Sequence, residues 1–257
     1  NLFVIEEQVK FAKELVKFKP GYKVFFCNSG TEANEATFKL ARKWGIFNGG
    51  RNIIISATGA FHGRTFGSLS ATFPKKYRDG FYPLVPGFKS VELNNIKKLE
   101  ETVRKNKKIA AIILEPIQGE AGVKFVDPQY LKKVEILCKK NNILFILDEI
   151  QVGLGRTGKV YCHQHYKLNP DIIIKALGFD PENLPKLFDS KDLQITRWGT
   201  LKTDFDTMET NLPGVFAAGD IIRGASLVVW AIRDGRDAAT SIKKFLEAKE
   251  SKKAKVA

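Results

Sequence analysis

The sequence predicts an α/β protein built on a mostly parallel sheet. Short apolar runs at 52–56, 109–114, 143–147 and 172–174 alternate with helical stretches, the pattern of parallel strands joined by crossover helices. The chain has 257 residues, enough to bury a core in one or two domains. Its 44% hydrophobic and 27% charged residues exclude disorder as the starting assumption.

In chain order, Val4, Ile5, Val9, Phe11, Ala12, Leu15 and Val16 recur at helical spacing and predict an amphipathic helix over 4–17, ending before Pro20-Gly21. A short strand is expected at 23–27. A helix over 31–44 turns Ala33, Ala36, Leu40 and Ala41 inward, with Ser29 and Thr31 both placed to cap it. The strand at 52–56 precedes a Gly-, Phe- and Pro-bearing stretch, 58–90, that reads as loop with one short helix. A helix at 95–106 leads to the strand 109–114, which runs into Glu115-Pro116. A helix at 128–140 and strands at 143–147 and 172–174 follow.

The character changes near Lys175. Residues 179–214 carry polar turns and few regular runs. A strand is expected at 214–220, through the sequence VFAAGD. It is followed by a helix over 225–246 with Ala225, Val228, Val229, Ile232, Ala238, Ala239, Ile242 and Leu246 inward.

Lys and Arg number 42 against 28 Asp and Glu, a net charge of +14. The lysines are scattered: Lys97, Lys98, Lys105, Lys107 and Lys108 share their stretch with Glu92, Glu100 and Glu101, a solvated helical face. Nucleic acid is therefore not an expected partner, whereas phosphate-bearing small molecules suit the charge. Cys27, Cys138 and Cys162 lie far apart with no CxxC pair, which disfavours a disulfide framework or a zinc site and fits a reducing cytoplasm. No apolar run reaches the ~18 residues of a membrane span, and the start NLFVIEEQVKF shows no signal-peptide pattern. No metal or membrane partner is expected.

Asn28-Ser29-Gly30-Thr31-Glu32-Ala33 lies between a strand and a helix. The N–H groups and positive end of that helix can hold a phosphate, or Ser29 and Thr31 can simply cap it. Phe61-His62-Gly63-Arg64-Thr65 brings an aromatic ring, an imidazole and a guanidinium to one loop, where Phe61 and His62 also have ordinary buried roles. Glu115 and Glu120 follow one strand end and Asp148 another, and the ends of parallel strands are where such sheets bind ligands. Asp148 can cap a helix or balance a cationic ring nitrogen. Gln151 can reach a neighbouring oxygen.

The segments NSGTEANEA, FHGRTFGSLSAT, KKYRDGFYPLVPGF, EPIQGEAGV, DEIQVGLGRTGK and NPDI occur in this order. With them, residues 1–175 resemble the class III pyridoxal-phosphate aminotransferases, above all those of the acetylornithine and ornithine type. The resemblance implies a fold type I large domain, a homodimer, and a pyridoxal 5′-phosphate cofactor. It also implies transfer of an amino group from an N-acetylornithine-like donor to 2-oxoglutarate. On this resemblance Ser29, Gly30 and Thr31 hold the cofactor phosphate, Phe61 stacks on the ring with His62 beside it, Asp148 pairs with the ring nitrogen, Gln151 contacts the ring oxygen, and Glu120 is the gate carboxylate.

The family also needs a lysine that bonds the cofactor. Lys175, in Pro170-Asp171-Ile172-Ile173-Ile174-Lys175-Ala176-Leu177-Gly178, is the candidate. About two residues are missing before it, which in a strand keeps the face and retracts the side chain by roughly 6–7 Å. The alternative for Lys175 is a plain strand end. The family's glycine run after the lysine, its small domain and its carboxylate-binding arginine find no counterpart, and the segment preceding NLF is also missing. The expectation is of a truncated large domain over 1–175.

Residues 176–243, with ALGFDPENLPKLFD and TNLPGVFAAGDIIRGASLVVWAIRDGRDAA, resemble the C-terminal part of the NADPH-dependent glutamate synthase small subunit and related flavin oxidoreductases. That implies a partial FAD/NAD(P)-binding Rossmann-like segment over 176–257 with a basic tail, and FAD contacts at Gly219, Asp220 and Ala225. No GxGxxG turn accompanies it. Three readings follow: a transaminase, a flavin-binding fragment, or a non-catalytic chimera of the two joined at Ala-Leu-Gly. The chimera, with open edges and apolar faces, is expected to be poorly soluble.

Overall fold

In the computed structural model the described residues are 4–176, 181–224 and 228–254. The chain divides into two compact units, Asn1–Leu177 and Gly178–Ala257.

The first unit holds helices α1 (Glu6–Lys17), α2 (Gly30–Phe47), α3 (Phe66–Ala71), α4 (Lys75–Arg78), α5 (Ile96–Lys105) and α6 (Pro128–Asn141). Its strands are β1 (Ile53–Ala57), β2 (Phe88–Val91), β3 (Ile109–Leu114), β4 (Ile117–Gln118), β5 (Lys124–Phe125), β6 (Leu144–Asp148) and β7 (Ile172–Ile174). Five strands form one sheet in the order β2-β1-β3-β6-β7. Every pairing in it is parallel. β4 and β5 make a small antiparallel ribbon.

The sheet is apolar on both faces, and helices cover both. Leu99 and Val103 of α5 and Leu131, Val134 and Cys138 of α6 pack with Ile55, Ile112, Phe145 and Leu147 on one face. Phe38 and Ala41 of α2 pack with Ile54, Ile113, Ile146 and Ile174 on the other. Burial of this apolar surface is the main force closing the layers. Caps set the helix starts: Ser29 accepts from Glu32 N–H at 3.3 Å, Asn95 accepts from Lys98 N–H at 3.0 Å, and Asp127 accepts from Gln129 N–H at 2.8 Å ahead of Pro128.

The expected strand at 23–27 is coil. Apolar residues there find no neighbouring strand, and Phe25 stays 75% exposed.

The second unit holds α7 (Leu184–Leu187), α8 (Asp220–Arg223) and α9 (Val228–Ala254). Leu193, Leu201, Met208, Ile222 and Ala238 form its buried cluster. The strand expected over 214–220 is not a sheet strand. Glu209 and Phe216 make one isolated antiparallel bridge, and Ala217 N–H donates to Met208 O at 3.0 Å. Lone bridges also join Ile195 to Leu201 and Thr203 to Thr210. A Rossmann-like segment requires adjacent parallel strands, and the described residues of this unit contain none. Arg223 and the buried Asp234 pair through two hydrogen bonds, of 2.6 and 2.7 Å.

Candidate functional site

The sheet order creates the site. From β1 the chain leaves toward β2 on one side, while from β3 it leaves toward β6 on the other. The loops that follow β1 and β3 therefore part, and the crevice between them lies at the carboxyl ends of the strands. The register Leu114↔Leu147 carries Glu115 and Asp148 out of adjacent strands side by side. A cavity of about 390 Å³, its solvent mouth included, opens there. It is lined by Gly30 and Thr31 of α2, by Phe61, His62 and Gly63 after β1, by Glu115 and Ile117 after β3, by Asp148 at the end of β6, and by Ile150 and Gln151 after it.

Asp148 is buried and held from three directions. Its Oδ2 accepts from Asn34 Nδ2 at 3.0 Å and lies 2.8 Å from His62 Nδ1, and its Oδ1 accepts from Ile150 N–H at 3.1 Å. His62 is also buried. Burial works to lower its pKa, but the Asp148 hydrogen bond and the charges of Asp148 and Glu115 outweigh burial and raise it. Glu115 Oε2 accepts from Phe61 N–H at 3.0 Å. Burial pushes Glu115 up to about 8, with His62 pulling down and Asp148 pushing up. The Phe61 ring meets Tyr77 edge-on at 5.4 Å. Arg64 in turn lies 4.7 Å from the Tyr77 ring centroid.

The structure thus gathers Gly30, Thr31, Phe61, His62, Asp148 and Gln151 around one cavity. Ser29 sits just outside as the exposed α2 cap, and Glu120 is exposed and outside the lining. Lys175 is also outside the lining. Its Nζ donates to Val160 O at 2.7 Å and lies 3.8 Å from Glu149 Oε2. Burial pushes the Lys175 amine down to about 8, against the opposing pull of Glu149. In the second unit Gly219 is buried, Asp220 is exposed at the start of the four-residue α8, and Ala225 lies outside the described residues.

Sequence reasoning left Asn34 without a role and gave Glu115 only as one of two carboxylates. The signal for Asn34 was its spacing: it lies one turn after Gly30 on α2 and so shares that face.

A family model described as "Aminotransferase class-III" matches residues 1–179. The chain belongs to the class III aminotransferases. It is 49% identical over 180 residues to the acetylornithine aminotransferase of Caldanaerobacter subterraneus subsp. tengcongensis, covering 69% of this chain and 45% of that protein. It is 49% identical over 182 residues to the acetylornithine aminotransferase of Methanocaldococcus jannaschii, with the same coverage, 69% and 45%. Among solved structures, the ornithine aminotransferase from Toxoplasma gondii ME49 superposes with a TM-score of 0.64 at 33% identity, covering 67% of this chain and 42% of that one. A thermostable (S)-enantioselective omega-transaminase from Thermomicrobium roseum also gives 0.64 at 33%, covering 67% and 44%. This class III chain therefore spans less than half the length of these relatives.

Pyridoxal phosphate is the group this family implies. The noncovalent part of the site fits it: a buried carboxylate for a cationic ring nitrogen, an aromatic face at Phe61, and the N-terminus of α2 for an anion. Asn34 Oδ1 and His62 Nε2 are buried polar atoms with no hydrogen-bond partner among the described residues. The covalent part does not fit, because the Lys175 amine is turned to Val160 and Glu149 rather than into the cavity. No helix among the described residues is long and apolar enough to cross a membrane.

Proposed function

We propose that the first unit is a pyridoxal-phosphate-binding domain of the acetylornithine aminotransferase type. Its family chemistry is amino transfer from an N-acetylornithine-like donor to 2-oxoglutarate, carried out by a homodimer in the cytoplasm, where the free thiols of Cys27, Cys138 and Cys162 are at home. When bound, the cofactor supplies an electron sink. Asp148, oriented by Asn34 and His62, holds negative charge against the ring nitrogen. Phe61, braced by Tyr77, offers the ring a face. Gly30 and Thr31 at the start of α2 receive the phosphate, with Ser29 keeping that turn in shape. Gln151 supplies a polar group beside the ring oxygen. Glu120 serves the substrate side.

The observation that carries this reading is the buried Asp148–His62–Asn34 cluster on the cavity that also receives the α2 N-terminus. The placement of Lys175 makes turnover by this chain weak or absent. FAD forms no part of the proposal, because Asp220 is exposed and the described residues of its unit form no parallel sheet. Titration with pyridoxal phosphate, followed by tyrosine and tryptophan fluorescence, tests the reading. Saturable binding is expected, weakened by about 2 kcal/mol in Asp148→Asn as a charge-assisted contact is lost. Equal binding by the variant would defeat it.

A further inference from the structure

Lys175 lies one residue past the Asp148↔Ile174 pair, at the end of β7. The contacts of its amine come from one stretch of chain, residues 149–163. Nζ donates to Val160 O at 2.7 Å, lies 3.8 Å from Glu149 Oε2, and sits 3.9 Å from the centroid of the Tyr161 ring.

Glu149 has no exposed surface. Its carboxylate ties the far end of the same stretch. Oε2 accepts from Cys162 N–H at 2.8 Å, and Oε1 accepts from His163 N–H at 2.8 Å and lies 2.8 Å from His163 Nδ1. Burial works to raise the Glu149 pKa, but the bonds from His163 and Cys162 outweigh it and hold the group ionised. A buried carboxylate of this kind needs its partners, and Lys175 is the cation beside it.

The stretch is also built around the lysine. A Cβ on Gly153 would lie 2.5 Å from Lys175 Nζ and 3.0 Å from Glu149 O, so any larger residue there must push the lysine amine from its place. Between its two tied ends the stretch sends Ile150 and Gln151 to the cavity wall.

We infer that Lys175 is a latch: it fastens the 149–163 loop shut, thereby positioning Gln151 and Ile150 at the cavity, and the cleft holds its cofactor without a covalent bond to this lysine. The inference rests on the reading that the cleft takes pyridoxal phosphate. Lys175 is thus a positioning residue that touches the cofactor only through the loop.

Two probes separate latch from anchor: pyridoxal phosphate, and 4′-deoxypyridoxine 5′-phosphate, which has no aldehyde. Both are titrated calorimetrically into the full chain and into Lys175→Met. The wild type is expected to bind the two probes within about threefold of each other, since neither gains a covalent bond. Borohydride treatment of the pyridoxal phosphate complex is expected to leave the Lys175 peptide unmodified by mass spectrometry. Lys175→Met is expected to weaken the deoxy probe about tenfold, the order of one lost charge-assisted contact, and to speed tryptic cleavage at Arg156 and Lys159. Gly153→Ala, which keeps the lysine and crowds it, is expected to shift both readouts in the same direction and serves where Lys175→Met does not fold. A phosphopyridoxyl group on Lys175 would overturn the inference. So would a variant pair that leaves deoxy-probe affinity and loop cleavage unchanged. If neither probe binds the wild type, the cofactor reading fails instead, and the cleavage rates at Arg156 and Lys159 still decide the latch.

Discussion

The two units of the chain treat short apolar runs differently. In residues 4–176 the run 109–114 becomes β3, all six residues buried, with β1 and β6 paired on either side. In residues 181–254 the run 215–218 pairs through one bridge, Glu209 with Phe216, and Val215 remains 41% exposed. A site needs the first arrangement. Glu115 and Asp148 are held side by side because the strands that deliver them are locked in register, whereas Gly219 and Asp220 follow a segment with no such frame. A motif thus becomes a site only where a paired sheet fixes its ends.

Core truncation gives the largest test of that contrast. Phe145 is 2% exposed on β6, an interior strand of the sheet, and Phe145→Ala is expected to cost about 3–5 kcal/mol. Leu201 is 4% exposed in a cluster that has five buried members among the described residues. Its surroundings can relax more, and Leu201→Ala is expected to cost about 2 kcal/mol, the low end for such truncations. Urea unfolding followed by peptide-resolved hydrogen exchange measures both. Equal costs would erase the distinction between the two cores.

Much of the first unit could be read from the sequence because its signals are local and agree. Ser29 ahead of the 31–44 pattern marked α2, the helix expected at 128–140 matches α6 to within a residue, and β3 and β6 showed as apolar runs entering Glu115 and Asp148. The misses share one cause, which is that pairing is not local. Residues 23–27 and 214–220 look like strands, yet whether a strand forms depends on a neighbour elsewhere in the chain. Asn34 reads as an ordinary polar helix position until the fold sets Asp148 against it, 114 residues away. Spacing flagged Lys175 as displaced, but its direction is set by Val160, Tyr161 and Glu149, which no spacing rule names.

Two carboxyl groups, one in each unit, should also differ in the sign of their pH dependence. Burial pushes Glu115 from an ordinary 4.5 to about 8, so between those values the folded chain keeps a proton the unfolded chain has released. Its contribution is fully present below pH 4.5 and is lost as pH rises to about 8, a swing on the order of 5 kcal/mol. Glu115→Gln is expected to flatten that part of the stability profile. In the second unit, the hydrogen bonds from Arg223 hold Asp234 below its ordinary 3.8, so its contribution is present above that value and lost as pH falls through the lower one. Asp234→Asn is expected to change the acid limb and leave the interval 4.5–8 untouched. Urea midpoints from pH 3 to pH 9 test both; the raised His62 leaves a smaller neutral-range slope of its own, so a slope left wholly unchanged by Glu115→Gln would mean the carboxyl is not buried as described.

The smallest effect comes from one substitution made for opposite reasons. Gly45 lies in the interior of α2, where alanine should gain about 1 kcal/mol of helix propensity. A Cβ there would lie 2.8 Å from the Ala110 Cβ and inside contact distance of the Arg51 carbonyl oxygen, neither of which can swing away. Overpacking costs about 1–3 kcal/mol, so Gly45→Ala is expected to destabilise by up to about 2 kcal/mol net. Gly219 has room, since the nearest atom to a Cβ would be the Ala231 Cβ at 3.5 Å. Its obstacle is the backbone, at φ 79° and ψ −148°, a region open almost only to glycine, and Gly219→Ala should cost about 1 kcal/mol or a little more. Second substitutions separate the causes. Ala110→Gly should recover part of the loss in Gly45→Ala, because it removes one of the two atoms in the way, while Ala231→Gly should recover nothing in Gly219→Ala. Rescue at Gly219 would show crowding where the second unit is described as open, and the packing contrast between the two units would fail at that point.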